Sequence, residues 1–150
     1  TGVQTCALPI FLRDLFFDKG HQQALNLCQK KDLSKVDVVY CSPKKRAQQT
    51  VAPLVQKRAC PIETWPELDQ MREIENQRDF TQRVQNFLDT LNKTSSQTLL
   101  ICSHSDWLQQ AVLLLASDTQ MFTPYAFFSC AEYKIFDYQN NEWHLGKLHD

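Results

Sequence analysis

Two short apolar runs, Val36 to Cys41 and Thr98 to Cys102, constrain the fold of this chain more than anything else in it. Each is dominated by β-branched, leucine or aromatic residues at strand length, the pattern of a strand covered on both faces. Each passes at once into polar residues that open a helical pattern. After Cys41 comes Ser42-Pro43-Lys44-Lys45-Arg46, and residues 44–58 then set Ala47, Val51, Leu54 and Val55 on one face, with a kink expected at Pro53. After Cys102 comes Ser103-His104, followed by a largely apolar helix predicted from Asp106 to Ala116. Two more helices are predicted, over residues 21–33 (Ala24, Leu27, Cys28) after a turn at Asp18-Lys19-Gly20, and over residues 79–92 (Phe80, Val84, Phe87, Leu88, Leu91). Cys60 to Asn76, with Pro61 and Pro66, reads as an extended loop. The end alternates around Tyr133 and Ile135, turns at Asn140-Asn141 and resumes at Trp143-His144-Leu145, a terminal hairpin or pair of edge strands. Strands alternating with helices in this way predict an α/β domain with a mainly parallel central sheet.

The 150 residues fit a single domain, and a chain of that length buries roughly 68–70% of its unfolded surface. A formal net charge of −1 lacks the basic excess of a general nucleic-acid binder. No apolar run approaches the roughly 18 residues of a membrane span, so neither nucleic acid nor membrane is expected as a partner. Three glycines, Gly2, Gly20 and Gly146, cannot build a glycine-rich nucleotide loop. The six cysteines are spread along the chain without a Cys-x-x-Cys, so they are read as reduced, mostly buried thiols of a cytoplasmic protein. No metal site is expected, since Cys102 and His104 alone show ligand spacing.

The first ten residues, Thr-Gly-Val-Gln-Thr-Cys-Ala-Leu-Pro-Ile, resemble the in-frame translation of a common sequencing-library adapter. On that reading residues 1–10 are non-native and residues 11–150 form one domain, incomplete at its N-terminus. An ordinary processed N-terminus is the competing reading.

Ligands of open α/β sheets bind outside the carboxyl ends of the strands, where both polar segments fall. Lys44, Lys45 and Arg46 open a helix, where the macrodipole disfavours cations by about 0.3–1 kcal/mol each, so a bound anion would relieve them. A solvated basic patch is the alternative. Arg46 is the better ligand, because a guanidinium can grip two oxygens at once. His104 interrupts an apolar strand where the crevice opens, and an imidazole there can donate to a phosphoryl oxygen. His21, His144 and His149 read as solvated surface.

Four blocks, in order, carry a resemblance. Ser42-Pro43-Lys44-Lys45-Arg46-Ala47-Gln48-Gln49-Thr50 resembles the S-P-x-x-R-A-x-Q-T block of the histidine phosphatase superfamily, also called phosphoglycerate mutase-like. Leu99 to His104 is similar to its second-histidine block, Asp18 to Ala24 to its L-T-x-x-G-x-x-Q-A segment with Phe16-Phe17 in place of small residues, and Met71-Arg72-Glu73-Ile74 to its L-x-E segment. The resemblance runs from about residue 15 to the end. It implies a three-layer phosphoglycerate mutase-like fold and a metal- and cofactor-free phosphomonoester hydrolase working through a phosphohistidine. It assigns Arg46 and His104 to the phosphoryl oxygens, His104 and Glu73 to catalysis, and Glu67 as the second candidate for the acid.

The family opens with a strand ending in Arg-His-Gly, whose histidine is the nucleophile, and no such triplet occurs here. The first strand is therefore expected to be missing or replaced, with an exposed sheet edge, poor solubility and no turnover by this chain. Ser105 stands where the family has Gly and should narrow the pocket, and Glu75-Asn76-Gln77-Arg78 replaces a Gly-x-x-E-G loop. A non-catalytic phosphate-binding pseudoenzyme or adaptor is the alternative, and compactness favours a phosphatase over a mutase. A cysteine phosphatase needs Cys-x5-Arg, whereas Cys41 to Arg46 is one residue short. The substrate is a phosphorylated small molecule or a phosphoprotein, its leaving group read by the Cys60–Asp79 loop and by residues 122–128. The sequence leaves its identity, and the oligomeric state, open.

Overall fold

The computed structural model describes residues 8–13, 19–91, 97–118 and 120–146. In chain order the elements are β1 (Leu8–Arg13), α1 (Lys19–Leu27), β2 (Val38–Cys41), α2 (Lys45–Arg58), β3 (Ile62–Thr64), α3 (Gln77–Asp89), β4 (Thr98–Ser103), α4 (Ser105–Leu114), β5 (Tyr133–Gln139) and β6 (Glu142–Leu145). The strands form one six-stranded sheet in the order β3-β2-β4-β1-β5-β6. β3, β2, β4 and β1 run parallel, and β5 and β6 close the other side antiparallel. This is the α/β architecture the sequence predicts.

Side-chain alternation divides the sheet between two cores. Val39, Cys41, Leu100 and Cys102 pack with Leu27, Leu33, Ala47, Val51 and Leu54, beneath α1 and α2. Tyr40, Leu99 and Ile101 face the other way, among Phe80, Val84, Phe87, Trp107, Leu108 and Val112 of α3 and α4. β2 and β4 are thus buried on both faces, which is why their sequences read as near-continuous apolar runs. A fully buried leucine contributes about 1.5–3 kcal/mol by leaving water, and both layers hold several.

The expectation of a missing central strand and an open edge is not met. β1 lies between β4, paired from Leu8↔Thr98 to Arg13↔Ser103, and β5, paired from Ile10↔Ile135 to Leu12↔Tyr133. Pro9 has no N–H to give and falls outside the β5 pairing, so a proline is tolerated in this strand. The loop expected from Cys60 to Asn76 holds the edge strand β3 and a short 3-10 turn at Pro66–Leu68. All three β3 residues are exposed, so no alternation marks the strand in the sequence. α2 runs unbroken through Pro53. The terminal hairpin turns at Asn140 (φ 54) and Asn141 (φ 65), the two left-handed residues of a type I′ turn.

Cys41 and Cys102 are buried, whereas Cys28, Cys60 and Cys130 are only half-buried, so the thiols are less sequestered than expected; all five are reduced, and Cys6 lies outside the described residues. α2 ends on Ala59 in the left-handed region (φ 51), a conformation that suits glycine. A59G is therefore expected to stabilise the fold by about 0.5–1 kcal/mol, read from urea unfolding.

Candidate active site

The two parallel strands β2 and β4 end side by side, Cys41 in register with Cys102, and each hands the chain to a helix. Lys44 caps α2 and His104 caps α4, so the positive ends of two helices meet at the carboxyl edge of the sheet. That convergence brings together residues far apart in the chain. Arg46 Nη2 lies 3.1 Å from His104 Nδ1 across 58 residues of sequence. On the other side of the ring, Ser42 Oγ lies 2.7 Å from His104 Nε2 in a fully buried contact. A guanidinium can only donate, so Nδ1 accepts, the proton sits on Nε2, and Ser42 Oγ accepts it. Ser42 Oγ also accepts from the Lys44 amide at 3.3 Å. The histidine is thus held from both sides, 2% exposed.

Supporting contacts fix the arginine turn. Thr50 Oγ1 donates to Arg46 O at 2.8 Å, and Gln48 Nε2 donates to Ser42 O at 2.7 Å. These are side chains of the Ser42–Thr50 block, whose spacing follows helix geometry. Lys45 is exposed and solvated, while Lys44 and Arg46 are half-buried. The basic triplet therefore divides, with only two of its members at the site.

The carboxylate at the site is Asp69. Its Oδ1 lies 4.0 Å from His104 Nε2 and 3.9 Å from Lys44 Nζ, and its Oδ2 lies 3.6 Å from Arg72 Nε. Next to it, Gln70 Oε1 accepts a hydrogen bond from Arg46 Nη2. The loop bearing both residues is fastened through its main chain. Arg83 donates to the carbonyls of Glu67, Asp69 and Gln70 at 2.8–3.0 Å, Ser103 Oγ to that of Leu68 at 2.6 Å, and Trp107 Nε1 to that of Glu67 at 2.8 Å. The Met71 amide donates to Asp106 Oδ2 at 3.0 Å.

The structure brings Arg46 and His104 together at the ends of β2 and β4. Glu73 is exposed on the loop, and no described polar contact joins it to Arg46 or His104. Glu67 takes part through its carbonyl, to Arg83 and Trp107. Sequence reasoning missed Asp69, Gln70 and Ser42 as site residues. Asp69 had one local signal, its place directly after Leu68, the apolar residue that the loop buries completely. Cys41 points into the core beneath α1 and α2, away from the role of a phosphatase cysteine. His144 pairs with Glu142 at 3.5 Å on the terminal hairpin; the side chain of His21 and all of His149 lie outside the described residues.

Among the described residues no cluster of His, Cys, Asp and Glu suits a metal ion, and no helix is long and apolar enough to cross a membrane. A sequence profile of the histidine phosphatase superfamily (branch 1) matches residues 17–73. No curated protein matches the chain by sequence. Similar solved structures include an alpha-ribazole phosphatase from Shigella flexneri, at a TM-score of 0.74 and 21% identity over 96% of each chain. They also include a phosphoglycerate mutase from Plasmodium falciparum (TM-score 0.71, 19% identity, 95% of this chain and 90% of that one). A phosphoserine phosphatase from Entamoeba histolytica, in complex with 3-phosphoglyceric acid, superimposes at a TM-score of 0.75 with 13% identity, over 96% of this chain and 97% of that one. At these identities the likeness establishes the fold, which is phosphoglycerate mutase-like.

Proposed function

We propose that this chain is a phosphomonoester hydrolase of the histidine phosphatase type, with Arg46 and His104 as its phosphoryl-binding residues. The observation that carries this reading is the 3.1 Å contact between Arg46 Nη2 and His104 Nδ1, at the meeting point of two helix N-termini. Two helix N-termini and a guanidinium converge there beside the His104 ring, whose Nε2–H would exchange Ser42 Oγ for a phosphoryl oxygen on binding. In such a site a neutral imidazole attacks phosphorus in line, the P–O bond to the leaving group breaks, and water later cleaves the phosphohistidine. The cations stabilise the equatorial oxygens, the main contribution a protein makes to phosphoryl transfer. The proton for the leaving oxygen comes, in this reading, from Glu73 on the exposed side of the loop. The substrate is a phosphorylated small molecule or phosphoprotein met in the cytoplasm, and no metal or other cofactor takes part.

The nucleophile is the departure. β1 ends at Arg13, paired with Ser103, and the chain continues Asp14-Leu15, so the Arg-His-Gly order that the resemblance implies does not follow this strand. This favours a second reading, a phosphate-binding domain without turnover. The two are separated by D14H/L15G, which creates the order Arg-His-Gly beginning at Arg13. The hydrolase reading expects p-nitrophenyl phosphate turnover to rise about 100-fold or more over the unaltered chain, with a trappable phosphohistidine. A folded D14H/L15G protein that binds phosphate and turns nothing over would leave the binding-domain reading.

A further inference from the structure

The geometry points to Asp69 as the residue that sets how tightly this site holds phosphate: a fixed internal carboxylate that competes with the phosphoryl group for its own cations. The inference rests on the reading of Arg46 and His104 as a phosphate site. Asp69 lays one oxygen within 4.0 Å of both His104 Nε2 and Lys44 Nζ, and the other 3.6 Å from Arg72 Nε. Gln70 adds a third oxygen, accepting from Arg46 Nη2. Four cationic or N–H-bearing side chains thus already meet oxygens supplied by two consecutive residues. An incoming phosphate dianion must share or take over those contacts beside a like charge.

The carboxylate cannot be carried away by its main chain. Arg83 holds the carbonyls of Asp69 and Gln70 at 2.8 and 3.0 Å, and Ser103 and Trp107 hold those of Leu68 and Glu67. The Gln70 amide donates to Asp69 Oδ1 at 2.9 Å, which orients the carboxylate. With the Asp69 side chain only 12% exposed, solvent screens its charge weakly. Its effect is therefore built in: free phosphate binds weakly and leaves readily, and a substrate depends on leaving-group contacts for affinity. The positive ends of α2 and α4 attract the anion while Asp69 limits that attraction.

The test is calorimetric titration of the whole chain with inorganic phosphate at fixed pH and ionic strength, for the unaltered protein, D69N and R46M. Removing the charge while keeping the shape is expected to tighten phosphate binding about tenfold or more in D69N. R46M should lose binding. Equal or weaker affinity in D69N, with R46M still binding-deficient, would overturn the role of Asp69 and leave the phosphate site intact. No phosphate binding by either the unaltered protein or D69N would overturn both. D69S serves as the second neutral variant if D69N does not fold, and failure of both to fold overturns the inference by making Asp69 a structural ion.

Discussion

R83M is expected to destabilise the fold by about 3–5 kcal/mol at pH 7. Arg83 sits on α3 with its side chain 11% exposed and makes five hydrogen bonds to the Pro66–Leu68 turn and the loop that follows it. Two go to Glu75, at 2.7 and 2.8 Å, as a two-point guanidinium–carboxylate pair. Three go to main-chain carbonyls, and the guanidinium also lies 5.1 Å from the Phe80 ring centroid. Methionine retains the apolar stem but takes from the Glu75 carboxylate its charged partner and from the Asp69 and Gln70 carbonyls the Arg83 donor.

The same variant carries a pH signature. The Arg83 hydrogen bonds, helped by the Arg72 amide and by the charges of Arg83 and Arg72 and opposed by burial, lower the pKa of Glu75 from 4.5 to about 2. A folded-state pKa below the unfolded one stabilises the protein at pH values above about 4.5. That stabilisation is lost as pH falls toward about 2. The gap between the unaltered protein and R83M should therefore narrow by about 1–2 kcal/mol between pH 5 and pH 3. Urea unfolding at both pH values measures it, and a gap independent of pH would show that the pair does not titrate as the geometry requires.

The layers of this fold were legible because both buried strands lead directly into helices with a clear apolar face. The Ser42–Thr50 block shows the reach of local reading: Arg46, Gln48 and Thr50 face their partners because one helix sets their spacing. His104 was legible for a related reason, a polar residue ending an apolar strand. Asp69 was not, because its position depends on contacts from three other elements, through Arg83, Ser103 and Trp107. A carboxylate in an irregular loop has no period to betray it, and the resemblance directed attention to Glu73. β1 was missed because residues 1–10, by their resemblance to adapter sequence, were set aside from the fold reading. Its backbone nevertheless pairs on both sides.

The second large effect concerns Arg46, on which the functional reading depends. Replacing it with methionine removes the guanidinium between His104 Nδ1 and Gln70 Oε1. Charge-assisted contacts to an oxyanion contribute about 1.5–3 kcal/mol each, so phosphate affinity should fall about 10- to 100-fold. Arg46 is only half-buried at the mouth of the fold, so R46M should stay within about 1 kcal/mol of the unaltered stability. The loss then reports on binding.

The most direct measurement is an NMR titration of the unaltered chain and of R46M with inorganic phosphate, following the His104 ring resonances. The account expects a saturable shift of those resonances with a dissociation constant of about 1 mM or tighter, lost in R46M. Equal affinity in the two proteins, or saturable binding that leaves His104 unmoved, would contradict a phosphoryl site built on Arg46 and His104.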